Sequence, residues 1–231
     1  LMRNVSLQPM EGEDVSRELE RPYLGAQAEI PVGLRAMLTG ETELVGSGVA
    51  GTAPAWGVLA RASALAEVIS AGVSVAYNPI SDAMESATLY FWIGGTRQIV
   101  KGCRGTGVIT LNAQGIPVIR WTLTGLWLAP AEAARVNPTL TAWKAPVVAT
   151  QANTPTFTLN GVGLVLRSYS FNLGNKVEPR LLIGREEIMV TDKAEELTAQ
   201  VEAVPLTTLN PFALAQAQTL VPVTLVHGIA A

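Results

Sequence analysis

The chain has 231 residues, 48% of them apolar and 15% charged, a composition ample for a buried core and that of a globular rather than a disordered chain. With 16 Lys and Arg against 19 Asp and Glu the net charge is −3, so a surface that grips nucleic-acid phosphates is not expected. One cysteine excludes an internal disulfide and any multi-thiolate metal centre.

The chain opens at Leu1 inside a predicted strand, Leu1 to Gln8, which places its natural start upstream. Met10 to Gly25 reads as a long charged loop, and Leu34 to Leu38 as the next strand. Gly46-Ser47-Gly48-Val49-Ala50-Gly51-Thr52 holds a Gly-x-Gly-x-x-Gly spacing, but it lacks the Lys-Ser/Thr ending of a P-loop and the parallel βαβ frame of a dinucleotide site. No cofactor is expected from it. Trp56, Leu59, Ala60, Ser63, Ala64 and Val68 recur at helical spacing behind Thr52 as N-cap and Pro54 in the first turn. They predict a helix over Ala53 to Val68, lying across a sheet and leading to a strand at Val73–Tyr77.

Strand signals are densest between Ala87 and Leu128. Thr88–Ile93 runs into a Gly94-Gly95 turn, followed by Gln98-Ile99-Val100 and, after a connection carrying Gly102, Gly105 and Gly107, by Gly107–Leu111. Asn112-Ala113-Gln114-Gly115 turns the chain into Pro117–Thr124. This is an antiparallel meander. In its last strand Ile119, Trp121 and Leu123 point one way and Val118, Arg120, Thr122 and Thr124 the other, giving one apolar and one polar face.

From Pro130 to Pro155 the chain turns to Ala, Pro, Thr and Asn and reads as a linker or strap. The predicted organisation is an N-terminal β half over residues 1–129 with its helix at about 53–68, the strap at 130–153, and a C-terminal β half over 154–231. A short second helix is predicted from Pro211 to Gln218, capped by Asn210, ahead of a strand at Val223–His227. Cys103 is expected to be a small packed side chain, and His227, the one histidine, to end a strand without a catalytic or metal role. The acidic clusters Glu11/Glu13/Asp14, Glu186/Glu187 and Glu195/Glu196 read as solvated loops and strand edges, with a glycosidase-type carboxylate pair as the alternative. No apolar run reaches the roughly 18 to 20 residues of a spanning helix, and no basic-then-apolar leader is visible, so the protein is expected to be soluble when made.

The pattern Gly-x-x-Val-x-x-x-Leu occurs twice, as Gly12, Val15, Leu19 and as Gly174, Val177, Leu181. Behind each copy the elements keep step. Tyr23-Leu24-Gly25 answers Leu182-Ile183-Gly184, Leu34–Leu38 answers Leu197–Val201, Pro54 answers Pro211, and Val73–Tyr77 answers Val223–His227. An internal repeat with loop insertions is the expectation. The meander has no second copy, which favours one composite unit.

Three stretches carry a resemblance: Gly46–Gly57 (GSGVAGTAPAWG), Lys101–Gly107 (KGCRGTG) continuing to Trp121–Leu126 (WTLTGL), and Ser170–Asn175 (SFNLGN) continuing to Leu182-Ile183-Gly184. They resemble the major tail proteins, or tail tube proteins, of long-tailed, non-contractile bacteriophages, over most of Leu1 to about Gly228. Ser63 and Lys193-Ala194 depart from that pattern, where Cys-Gly-like and Arg-Lys/Ala-Pro-like residues would be expected. The resemblance implies a mainly β, sandwich- or barrel-like tail-tube fold with one or two short helices on the sheets. It implies a structural subunit, not an enzyme, made in the host cytoplasm and placed in the virion tail. Such a subunit closes into rings and stacks into a tube through which the genome is delivered. Its implied partners are itself, the tape measure, terminator and distal tail proteins, and DNA that passes through the lumen without specific binding; no membrane, metal or cofactor is implied.

Within that reading the loops Met10–Gly25 and Leu173–Arg185 are the candidates for contacts between subunits or rings. They mix charge (Glu11, Arg17, Arg21, Lys176, Arg180, Arg185) with apolar anchors (Leu19, Tyr23, Leu181, Ile183). Six chains, or three carrying two units each, would close a ring. A tail terminator, baseplate hub or secretion-system tube protein is the alternative within the class, and a carbohydrate-active β-sandwich the alternative outside it.

Overall fold

Alternating apolar and polar residues build one large sheet, and the strands run longer than the sequence pattern suggests. The computed structural model describes residues 1–228. The protein is mainly β, 53% strand and 5% helix, with antiparallel sheets, a principal sheet curled into a half-barrel and two short helices. The principal sheet begins with β1 (Arg3–Ser16) and β2 (Glu29–Glu43), a long hairpin. After a short helix α1 (Gly57–Arg61) the chain forms the hairpin β3 (Leu65–Ser70) and β4 (Ser74–Pro79). The meander follows as β5 (Ala87–Ile93), β6 (Thr96–Asn112) and β7 (Val118–Glu132).

In the C-terminal part, β8 (Thr156–Leu159) and β9 (Val162–Gly163) precede β10 (Leu166–Asn172). The hairpin β11 (Asn175–Leu182) and β12 (Arg185–Lys193) comes next, then β13 (Glu196–Val201), α2 (Pro211–Gln216) and β14 (Val223–Val226). The sheet order is β1-β2-β7-β6-β10-β13, with β5 also on β6, while β14-β8-β9 forms a small sheet of its own. Because β10 pairs with β6, both ends of the sequence contribute to one sheet.

The core lies on one face of that sheet. Ala36, Leu38, Val100, Cys103, Ile119, Trp121 and Leu123 are all buried there and pack against Ala60, Leu65 and Leu173. Trp121 donates its Nε1–H to Thr42 Oγ1 at 2.8 Å, so its one polar atom is satisfied in the interior. Gly107 makes room for it: a Cβ there would sit 2.8 Å from the indole. The Cys103 thiol, fully buried and donating to Val100 O at 3.1 Å, is pushed up to about 12 by burial.

Three expectations are corrected. The helix over 53–68 is one turn, Gly57–Arg61. Its continuation is blocked because Gly105 N donates to Ala62 O at 3.2 Å and Asn175 Nδ2 to Ser63 O at 2.7 Å, taking carbonyls a longer helix would bond internally. Ala64 then turns left-handed at φ 58°, and Val68 lies on strand β3. Next, Gln98–Val100 and Gly107–Leu111 are one strand, β6, bent by a register shift between Lys101 and Arg104. Finally, much of the two predicted loops is strand: Met10–Ser16 belongs to β1, and Asn175–Leu182 and Arg185–Lys193 pair across the two-residue turn Ile183-Gly184. The segment 133–155 carries no strand or helix; it is held to the meander turn by Gln114 N to Ala149 O and Ala149 N to Gly115 O, both 2.9 Å. The second helix forms as expected, with Asn210 Oδ1 accepting from Ala213 N at 3.0 Å, but ends at Gln216.

Candidate assembly surfaces

The first arm is the distal end of the β1–β2 hairpin. Three register shifts bend β1, and two of them flank Glu11, which faces Arg35 across the pair with an ion-pair distance of 3.7 Å. Beyond Ser16 the connection to β2 is pinned by side chains rather than by strand pairing. Gln27 Oε1 accepts from Leu19 N at 3.0 Å while its Nε2–H donates to Leu19 O. Arg21 donates to Ala26 O at 3.2 Å and lies over the Tyr23 ring, 5.8 Å from its centroid. Arg17, Leu19, Tyr23 and Leu24 remain exposed, Leu24 completely.

The second arm is the β11–β12 hairpin. It is ruled by charge: Lys176 pairs with Glu178 at 2.8 Å, and Glu187 is shared by Arg180 at 3.6 Å and Arg185 at 3.0 Å. The hydrogen bond to Glu178 and its charge hold the Lys176 ammonium above its ordinary range. Ile183 at the turn is completely exposed, with Leu182 beside it largely so. The arm springs from Gly174, which has φ 62° and stands where a Cβ would overlap Ala194 O, so no other residue fits. Directly after it, Asn175 donates from Nδ2 to Ser63 O at 2.7 Å and Gly105 O at 2.8 Å, tying the base of the arm to the turn after α1 and to β6. Arg104 of β6 adds a second tie, donating to Ile188 O at 2.7 Å and Met84 O at 2.8 Å.

The two arms meet. A Cβ added to Gly33 of β2 would lie 3.1 Å from Leu181 Cδ1, so the half-buried Leu181 packs on the first arm rather than reaching outward. Of the sequence-predicted residues, Glu11, Lys176, Arg180 and Arg185 are engaged in ion pairs within their own arm, and Arg21 is engaged by the loop. Arg17, Leu19, Tyr23 and Ile183 are presented to solvent. Leu24, Gly33 and Gln27 were not foreseen. Leu24 carried one signal, a large apolar residue set between the apolar anchor Tyr23 and Gly25 in a charged segment. The motif glycines also differ in setting: Gly12 lies within β1, where a Cβ would press on Val32 O at 2.6 Å, whereas Gly174 makes a left-handed turn.

The sheet's other face is polar and is read directly from the register, since residues opposite one another share a face. One row holds Ser6, Thr39, Thr122 and Thr106. The next holds Arg3, Glu41, Arg120, Val108, Asn172 and Glu196. Glu41 is buried and accepts from Arg3 and Asn4 on Oε2, both at 3.1 Å, and from Arg120 Nη2 on Oε1 at 3.0 Å. Burial alone would push this carboxyl up; the hydrogen bonds from Arg120, Asn4 and Arg3 outweigh it and hold the group below the usual range.

The acidic clusters do not converge. Glu11, Glu187 and Glu195 each face a basic partner, and among the described residues no group of three or more His, Cys, Asp or Glu side chains comes together in a way that could hold a metal. No helix of the described residues is long and apolar enough to cross a membrane. No protein-family model matches the chain, and no curated protein is similar to it at a significant level.

Proposed function

We propose that the chain is the structural subunit of a phage tail tube, self-assembling into stacked rings whose channel delivers the genome. The observation that carries this is surface area. The chain exposes 14398 Å² at a mass of 24.4 kDa, whereas a compact monomer of that size exposes about 10,000 Å². The excess is several times the roughly 800 Å² that each partner gives to a standard interface. It is supported by free edges on the principal sheet at β1, β5 and β13, by exposed apolar side chains at both arm tips, and by a polar face suited to a water-filled lumen. The bulges and charges of β1 fit an edge that must pair only in register. A lumen lined with hydroxyls and paired charges lets DNA slide, because no unpaired row of cations grips its phosphates.

The test is negative-stain electron microscopy of the concentrated protein, with Leu24→Asp/Ile183→Asp beside it. Stacked rings with a central channel are expected from the parent, and their absence from the double variant. Tubes of normal length from the variant would remove the arms from the stacking contact, and dispersed monomers of the parent at every concentration would overturn self-assembly.

A further inference from the structure

The glycine-rich segment Gly46–Thr52 has no part in the arms, and the fold gives it another setting. It forms one lip of an open cleft of about 880 Å³. The strap at Lys144 and Val147 and strand β14 form the other side, and Ile109, Leu111 and Tyr169 come from the apolar face of the principal sheet. A deeper space of about 290 Å³ adjoins it, walled by Ala60, Leu65, Ile119, Trp121, Phe171 and Leu173. Trp56, Tyr77 and Ile109 belong to both walls, so the two spaces are continuous in their lining.

Charge in this cleft is one-sided. Among the described residues no Asp or Glu lines either space; the nearby Glu67 is engaged by the Tyr77 hydroxyl at 2.6 Å. Lys144 stands at the mouth with its stem against Gly48, where a Cβ would be 3.2 Å from Cε, and among the described residues it makes no ion pair. His227 offers a ring whose Nδ1 is within 2.8 Å of Thr154 Oγ1; burial lowers its pKa, which leaves it neutral at pH 7. In a chain of net charge −3, this cleft therefore carries, among the described residues, a single cation over a greasy interior.

We propose that this cleft binds an amphipathic anion, an acyl chain whose carboxylate sits at Lys144 and whose hydrocarbon runs into the deep apolar space. Both volumes suit a small-molecule site, mostly apolar with few polar groups to orient the ligand. A head group without charge gains nothing at Lys144. A di- or polyanion with a polar body, such as a nucleotide, leaves its polar groups unpaired against the deep wall. The proposal does not depend on tube formation.

The test titrates the intact protein with hexanoate, octanoate, decanoate and dodecanoate below their micelle concentrations. Calorimetry and the fluorescence of Trp56 and Trp121 in the walls provide the readouts. Each methylene that enters the deep space tightens binding about fourfold, until the space is full and affinity levels off. Lys144→Met keeps the stem and removes the charge. It weakens carboxylate binding about tenfold and leaves the alcohol of equal length unchanged. Ala60→Leu moves the plateau to a shorter chain; should that variant not fold, the exposed Lys144→Met with its carboxylate and alcohol pair decides alone. Affinity that climbs without a plateau and ignores Lys144→Met would be adsorption to exposed apolar surface and would overturn the site, as would the absence of heat and fluorescence change with every chain.

Discussion

The centre of the sheet and its two arms are built from the same antiparallel pairing and differ in what covers them. At the centre, β2, β7 and β6 bury a full face of side chains around Trp121 and Leu123. In the arms, both faces meet solvent over much of their length, and ion pairs and a few pinning hydrogen bonds take the place of a core. Stability is therefore concentrated in one region and exposed surface in another. Substitutions at the centre should unfold the protein, while substitutions at the arm tips should leave it folded and act only on the proposed stacking.

The contrast is broken most forcefully at Trp121. Trp121→Ala removes the largest fully buried side chain and strands Thr42 Oγ1, and should cost about 3–5 kcal/mol in urea unfolding. A loss under 1 kcal/mol would mean the centre is not the core. Asn175→Ala, at the base of the second arm, leaves the carbonyls of Ser63 and Gly105 without their shared donor. About 2 kcal/mol should be lost, with hydrogen exchange rising along β11 and β12 before the centre opens.

Glu41 belongs to the polar face of the centre and gives the contrast a pH axis. Its folded pKa is lowered, so its stabilisation is fully present above the unfolded value of about 4.3 and is lost as pH falls through the lower folded value. Glu41→Gln should therefore cost about 1 kcal/mol at neutral pH, a modest figure because Arg3 and Arg120 are largely exposed. The gap to the parent should close in acid, and a gap that does not depend on pH would mean the ion cluster is not its source. The smallest effect on stability belongs to the tips: Leu24→Asp/Ile183→Asp should stay within about 0.5 kcal/mol of the parent, measured on the dispersed protein.

The same contrast explains what the sequence revealed. Ile119, Trp121 and Leu123 alternate with polar neighbours because one face of β7 is buried, and that alternation was readable. So were the Gly94-Gly95 turn and the Asn210 cap. In Glu11–Ser16 no face is consistently buried and charge falls on both sides, so no period of two survives and the strand reads as a loop, whereas in β11 Lys176, Glu178 and Arg180 do alternate with Val177, Pro179 and Leu181, a strand signal that the charge of the segment masked. The helix was overread for a different reason. Ala60, Ala62, Ser63 and Ala64 are buried small residues that satisfy a helical pattern, yet the carbonyls of Ala62 and Ser63 accept from Gly105 and Asn175, far along the chain. Of the ten candidate contact residues, the exposed tips were legible, but the packing of Leu181 on Gly33 depends on two hairpins meeting in space.

Cys103 has a practical consequence for studying the arms. Its thiol is sealed in the core and held protonated far above neutral pH, so the folded protein presents no background reactivity to maleimides or disulfide reagents. A cysteine introduced as Leu24→Cys or Ile183→Cys would be the only thiol a label could reach. Its labelling rate would then report whether the arm tip is open or covered, and so read the proposed stacking directly.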